Sequence, residues 1–273
     1  MKAITQQGSA GDVDHVDHVD HVDHVDHGGI GAIGTGGAPG RRPDTRIARF
    51  IAEALAGTRT VLNVGAGAGS YESAARAVTA VEPSESMRAR RPSRLRRAVD
   101  AMAEDLPFAD DEFDGAMTLF SVHQWGDVTA GLREMRRVTS GPVVVLTCDP
   151  KLVRDFWLYE YAPEVLDIEA RRYPSIEEMA GTLGGTGTVR TVPIPLDCTD
   201  GFNEAYYGRP EMLIDPAARQ ACSAWSFIDD GARGRFDDRL RHDLASGAWD
   251  ERFGHLRTQE TYEGSLVIVR AAP

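Results

Sequence analysis

The stretch Val61-Leu-Asn-Val-Gly-Ala-Gly-Ala-Gly-Ser-Tyr-Glu72 is the part of this chain best suited to chemistry. A short apolar strand runs into a glycine-rich turn, and Val78-Thr-Ala-Val-Glu82 ends a second strand on a carboxylate, seventeen residues after Gly65. In an open parallel α/β sheet, glycines in such a turn let the backbone approach a ligand. An acid at the next strand end accepts hydrogen bonds from two ribose hydroxyls. The pairing points to an adenosine-containing cofactor. A dinucleotide turn reads G-x-G-x-x-G, with a helix N-terminus facing a pyrophosphate. Here the pattern is Gly65-x-Gly67-x-Gly69, and Ser70 stands at the third glycine position. That spacing suits a ligand without phosphate and disfavours a nicotinamide oxidoreductase.

From Asn63 to Gly69 the chain resembles the class I S-adenosylmethionine-dependent methyltransferases that act on small molecules. Their first motif is an acid or amide followed by x-G-x-G-x-G, and Asn63 stands where the family often carries Asp or Glu. The resemblance continues through Ala103-Glu-Asp-Leu-Pro-Phe108, Asp111-Glu-Phe-Asp-Gly-Ala-Met-Thr-Leu-Phe120 and Ser121-Val-His-Gln-Trp125, covering roughly residues 44–150 and the closing Tyr262–Ala271 strand. It implies S-adenosyl-L-methionine as cofactor, held by Asn63, Gly65, Ala66 and Gly67, then by Glu82, Pro83 and Met87. In relatives the acid of an E-D-L-P-F run accepts from the adenine amino group, and the next backbone amide meets a ring nitrogen. Those roles fall here on Asp105 and Leu106, with Ser121 at the mouth of the site. The implied fold is a doubly wound, mostly parallel, Rossmann-like sheet of seven strands whose last strand is antiparallel.

Methyl transfer from a sulfonium is an in-line displacement, and the protein must mainly align nucleophile, carbon and sulfur in a dry site. A general base is needed only for a protonated acceptor. His123 directly follows the fourth expected strand and is the candidate for that role; the alternatives are that it orients the substrate or packs beside the adenine without taking a proton, or is a core histidine outside the site. Phe156-Trp-Leu-Tyr-Glu-Tyr161 follows the fifth strand on the ligand side, so Trp157 and Tyr161 are expected to wall the pocket of a small organic substrate. Use of the same cofactor for a reaction other than methylation, such as cyclisation, stays open.

These groups need elements to hold them. Asp44 caps a helix ending at Gly57, with Ile47, Phe50, Ile51, Ala54 and Leu55 as its buried stripe. Strands are expected at 60–64, 78–82, near 97–102 and at 114–120, with a helix over 69–77. Asp127 caps a helix whose Val128, Leu132, Met135 and Val138 recur at helical spacing, and Val143-Val-Val-Leu-Thr147 reads as a strand buried on both faces. Alternation of strands and helices gives a core over 41–150, a helical and aromatic substrate cap over 151–235, and a helix and strand over 236–273 that complete the core.

Across its 273 residues the chain carries a net charge of −12, which argues against nucleic acid as partner. No apolar run approaches the ~18 residues of a membrane span, and the N-terminus shows no secretory pattern. Cys148, Cys198 and Cys222 are scattered without metal-ligand spacing, as expected of free thiols in a reducing cytoplasm; no metal is expected, and the chain is expected as a monomer or homodimer. Residues 1–40 form a low-complexity tail of Val-Asp-His repeats, with His15, His18, His21, His24 and His27, then a Gly-rich linker. Such a tail lacks the apolar surface to offset its ordering entropy and is expected to be disordered.

Overall fold

Four apolar runs bounded by turn residues make the parallel heart of a sheet: β1 (Thr60–Val64), β2 (Ala77–Val81), β3 (Gly115–Leu119) and β4 (Val143–Cys148). The computed structural model that shows them describes residues 42–273; the Val-Asp-His repeat and the linker to Gly40 lie outside the described residues. β1 pairs in parallel with β2 and β3, and β3 with β4. Four strands follow: β5 (Thr186–Thr191), β6 (Ile194–Pro195), β7 (Thr261–Tyr262) and β8 (Leu266–Ala272). β8 runs antiparallel between β4 and β5, so the main sheet has the order β2-β1-β3-β4-β8-β5, while β6 and β7 form a separate short pair. This is a mostly parallel α/β sheet with one antiparallel strand, as expected from the sequence.

Helices cover both faces because alternate strand residues point both ways. Helix α1 (Thr45–Ala54) buries Ile47 and Ile51 on the face formed by Val61, Met117, Val144 and Leu146. On the opposite face, α3 (Val128–Arg137) and α5 (Ile176–Leu183) set Leu132, Met135, Met179 and Leu183 against Leu62, Ala116, Val145 and Val267. Asp127 and Asp44 cap their helices as expected. Burial raises the Asp44 carboxyl's pKa, but hydrogen bonds from Arg46 and Thr199 outweigh that and hold it well below the usual carboxylate range. The short α2 (Glu85–Ala89) follows β2, capped by Ser84.

Three expectations need correction. The helix over 69–77 does not form; turns fill the segment, and Tyr71 takes a left-handed φ of 63° that no helix accommodates. The segment is held instead by side chains. Tyr71 Oη donates to Asp200 Oδ2 at 2.7 Å, and Arg76 reaches the carbonyls of Ala52 and Leu55 at the end of α1. The strand near 97–102 shrinks to one bridge, Val81 to Val99, because the Arg-rich, Pro92-containing segment before it offers no alternating apolar face, and the main sheet has six strands rather than seven. Finally, β5 carries only polar, glycine or exposed positions and gave no periodic signal; its backbone pairing with β8 alone makes it a strand.

Beyond β4 the chain builds a cap from α4 (Pro163–Arg172), α6 (Pro216–Arg219), α7 (Asp230–Ser246), α8 (Ala248–Phe253) and single helical turns. Trp157 packs edge-on to Trp249 at 5.5 Å, and Trp225 packs on Phe236 of α7 at 4.8 Å.

Candidate active site

The turn after β1 is shaped by close approach. Gly65 has φ 66°, and a Cβ there would lie 1.8 Å from Ser121 Oγ; Gly67 has φ 53°, and a Cβ there would lie 3.2 Å from Met87 Cε. Only glycine meets both demands. Glu82, buried at the end of β2, accepts from the Gly67 amide at 2.7 Å and from the Ser84 amide at 2.9 Å. Ala66 donates to the Val81 carbonyl at 2.9 Å, tying the turn to β2. Ser121 closes the other side and accepts from Trp125 Nε1 at 3.1 Å. Asn63, Gly65, Ala66, Gly67, Glu82, Met87 and Ser121 thus converge on one turn, while Pro83 is exposed beside Glu82.

Asn63 gives Nδ2 to Glu72 Oε1 at 3.0 Å, and its buried Oδ1 has no hydrogen-bond partner among the described residues. An acceptor of this kind calls for a donor from a ligand. The segment expected to hold an adenine is arranged differently from the sequence reading. Asp105 is exposed, and the Leu106 amide donates to Glu134 Oε2 at 3.1 Å, so it is already committed. Glu134 is in turn held by Arg137 at 2.6 Å, which lowers its pKa. Neighbouring Glu104 accepts from the Asp127 amide at 2.9 Å with Oε1, while its Oε2 is a second buried acceptor without a partner among the described residues.

A second, more polar cluster of side chains lies past the ends of β3 and β4. Phe120, directly after β3, has a left-handed φ of 54° and packs on Phe202 at 5.5 Å. A bulky residue in that region is held there by its surroundings, as happens at functional sites. His123, on the single turn Val122–Gln124, meets the ring of Tyr173 edge-on at 4.8 Å. Cys148 ends β4. Glu169 of α4 accepts from Asn203 Nδ2 at 2.9 Å, and Asn203 Oδ1 accepts from Trp225 Nε1 at 2.9 Å. Glu204 accepts from the Ser265 amide at 3.0 and 3.1 Å. Burial, and then the charge of Glu204, push the Glu169 carboxyl up to about 8. Burial likewise pushes Glu204 up to about 7. Burial also raises the Cys148 thiol and the Tyr173 phenol well above their ordinary values. Glu169 and Tyr173 are half-buried.

The expected aromatic wall is not there. Trp157 is buried with its Nε1 donated to the Tyr207 carbonyl at 2.9 Å, and Tyr161 is buried with its hydroxyl on Asp243 Oδ2 at 2.9 Å. Both stabilise the cap interior, where packing and a satisfied polar tip are what large aromatics usually provide. Glu169, Tyr173, Asn203 and Glu204 were missed. A signal existed for one of them: Glu169 follows the buried Val165 and Leu166 at helical spacing, so a carboxylate falls on an apolar helix face.

Comparison with known proteins agrees with this geometry. A family model described as a methyltransferase domain matches residues 62–143, the span holding the glycine turn, Glu82, Ser121 and His123. The uncharacterised protein YafE of Escherichia coli (strain K12) is 45% identical over 60 residues, 20% of this chain and 29% of its own length. The chain thus spans under a third of that curated relative. Among solved structures, a candidate methyltransferase from an antibiotic biosynthesis pathway of Anabaena variabilis is 25% identical, with a TM-score of 0.79 over 85% of this chain and 99% of its own. An S-adenosylmethionine-dependent methyltransferase of Thermotoga maritima, 16% identical with a TM-score of 0.50 over 84% and 88% of the two chains, shares the fold. The glycine cradle, the carboxylate of Glu82 and the unpartnered acceptor of Asn63 fit the nucleoside and ammonium of such a cofactor. Residues 62–143 thus match a methyltransferase domain, and the fold as a whole is similar to that of the Anabaena candidate methyltransferase.

Proposed function

We propose that the protein transfers the methyl group of S-adenosylmethionine to an oxygen, nitrogen or carbon of a small organic molecule held against the cluster of His123, Tyr173 and Glu169. One observation carries the reading. Ser121 closes the glycine turn, and His123, two residues further on the same helical turn, meets Tyr173 of the polar cluster, so the two sites share a wall. When bound, the cofactor supplies a methyl group already activated on sulfur. The remaining work is alignment and exclusion of water. Glu82 takes the ribose hydroxyls, Asn63 Oδ1 accepts from the ammonium, and Glu104 Oε2 takes over from Asp105 as acceptor for the adenine amino group. Gly65 and Gly67 bring the backbone to the nucleoside, and Met87 packs beside it. His123 orients the acceptor or removes its proton, held in place by the Tyr173 ring.

A small acceptor is supported by the cluster of His123, Tyr173 and Glu169 and by the antibiotic pathway of the Anabaena protein. The net charge of −12 supports a partner other than nucleic acid. No described helix is long and apolar enough to cross a membrane, and Cys148, Cys198 and Cys222 are buried thiols, which is consistent with work in the cytoplasm.

The test begins with the cofactor. Glu82→Ala removes a charged acceptor whose hydrogen bonds are worth about 1.5–3 kcal/mol each, so calorimetry should show S-adenosylhomocysteine binding at least tenfold more weakly. Unchanged affinity, or preference for a reduced nicotinamide, would end this reading. Transfer of a labelled methyl group to a metabolite extract then separates methylation from other uses of the cofactor.

A further inference from the structure

Strands β1 and β2 are parallel, and the segment joining such a pair ordinarily lays a helix across one face of the sheet. Here residues 69–77 run as turns, and the face beside α1 is left uncovered. Between α1, Tyr71 and the starts of β1 and β2 lies a cavity of about 280 Å³, open to solvent on one side. Leu55, Val61, Val78 and Met117 form its apolar walls, and Val61 and Met117 are at most 2% exposed. Val61 lies four residues before Gly65, and Val78 four before Glu82. At about 3.3 Å per residue the cavity therefore sits roughly 13 Å from the glycine turn, toward the opposite ends of the strands.

Two arginines and no acid line the same cavity. Arg49, exposed on α1, has no hydrogen bond or ion pair among the described residues. Arg76 is fixed in place: Nε donates to Thr58 Oγ1 at 3.2 Å, and Nη2 to the carbonyls of Ala52 and Leu55 at 3.0 and 3.2 Å. All three acceptors are neutral, and Nη1 has no partner among the described residues. The acids nearest in the chain, Glu53 and Glu72, are paired with Arg190 and Arg91. In a chain of net charge −12, this is a local positive field over an apolar hollow. We propose that the cavity binds a one-ring aromatic carboxylic acid, its ring against Val61, Val78 and Met117 and its carboxylate on Arg49 and Arg76. Size sets the class: an apolar cavity of about 150 Å³ holds benzene, so about 280 Å³ takes one ring with a short chain. The Tyr71 ring and the Met117 thioether favour an aromatic body, and guanidinium groups select a carboxylate through charge-assisted hydrogen bonds. This ligand is neither methyl donor nor methyl acceptor, and its site stands whether or not the cofactor reading does.

The alternative is a packing gap left by the missing helix and filled by water alone. The probe is 3-phenylpropanoate, with 3-phenylpropanol as its neutral counterpart. In spectra of the full chain carrying carbon-13 methionine methyls, the Met117 signal, assigned with Met117→Leu, should shift on titration with the acid. The signal of Met87, which stands beside the glycine turn, should stay in place. The alcohol should bind at least fivefold more weakly than the acid. Arg49→Glu reverses an exposed charge and should weaken the acid at least tenfold while leaving the alcohol within about twofold. Ala52→Trp closes the mouth and should weaken both at least tenfold; if that variant does not fold by circular dichroism, the Arg49→Glu contrast decides alone. No Met117 shift at millimolar acid, equal affinity for acid and alcohol, or an acid affinity untouched by Arg49→Glu each overturns the proposal. A shift at Met87 without one at Met117 places the acid at the glycine turn and overturns it as well.

Discussion

The sheet edge proposed to face the nucleoside and the cap proposed to face the acceptor are built by different means. Around Gly65 and Gly67 the working groups are mostly backbone, fixed by left-handed turns and by strand ends, and the Glu82 carboxylate accepts from two backbone amides. Around Glu169 the working groups are side chains from α4, from the turn at Asn203–Tyr206 and from the end of β4, placed by packing among distant segments. A backbone site tolerates almost no change in residue type, since a Cβ alone fills it. A side-chain site keeps its shape through many substitutions and changes its charge and affinity instead.

The sharpest way to break this contrast is at Gly65. In Gly65→Val the new Cβ would stand 1.8 Å from Ser121 Oγ and demand a φ of 66°, so the turn must move away from β3. Binding of S-adenosylhomocysteine should fall a hundredfold or more, beyond what removal of Glu82 causes, while circular dichroism keeps the α/β signature. A valine variant that binds within tenfold of wild type would show that backbone approach is not what makes the site.

Glu169 tests the other side. Its pKa of about 8 in the folded chain lies above the 4.5 of an ordinary glutamate, so the folded state holds a proton that the unfolded state releases across that interval. Stability from this group is therefore fully present below about pH 4.5 and is lost as pH rises toward 8. The Glu204 carboxyl, at about 7, acts in the same direction, while Arg172 opposes it by favouring charged Glu169. In Glu169→Gln the amide keeps an acceptor for Asn203 and no longer ionises. Its melting temperature should fall less between pH 5 and pH 8.5 than that of wild type, by an amount equivalent to a few kcal/mol. Parallel pH profiles for the two proteins would mean that Glu169 does not carry an unmet charge in the cluster.

The same contrast explains what was legible in the sequence. The glycine turn, Glu82, Ser121 and β1 to β4 are local signals: apolar runs, turn residues and fixed spacings, all set by neighbours in the chain. Leu106 and the segment after Gly69 were misread because their outcome depends on partners far away. Glu134 takes the Leu106 amide across 28 positions, and Tyr71 is pinned to Asp200 across 129. Glu169, Asn203 and Glu204 become a site only when α4, the turn at Asn203–Tyr206 and the loop before β8 are brought together. Trp157 and Tyr161 failed in the opposite sense: an aromatic run beside a ligand-side strand end has the same composition whether it lines a pocket or fills a core.

Tyr161 gives the mildest test, and it asks whether the cap interior is separate from the site. Its hydroxyl donates to Asp243 Oδ2 at 2.9 Å, bridging the turn after β4 to α7, while its ring packs edge-on to Trp157 at 5.7 Å and lies beneath the Arg239 guanidinium. Tyr161→Phe keeps the ring and its packing and removes one hydrogen bond to a carboxylate. Asp243 keeps access to water at the helix surface, so the loss should stay at about 1 kcal/mol of stability, a few degrees in melting temperature. Binding of S-adenosylhomocysteine should not move, because Tyr161 touches neither the glycine turn nor the cluster around Glu169. A cofactor affinity reduced tenfold in this variant, with the fold intact, would show that the cap interior and the nucleoside edge are coupled, and that the division drawn between the two halves does not hold.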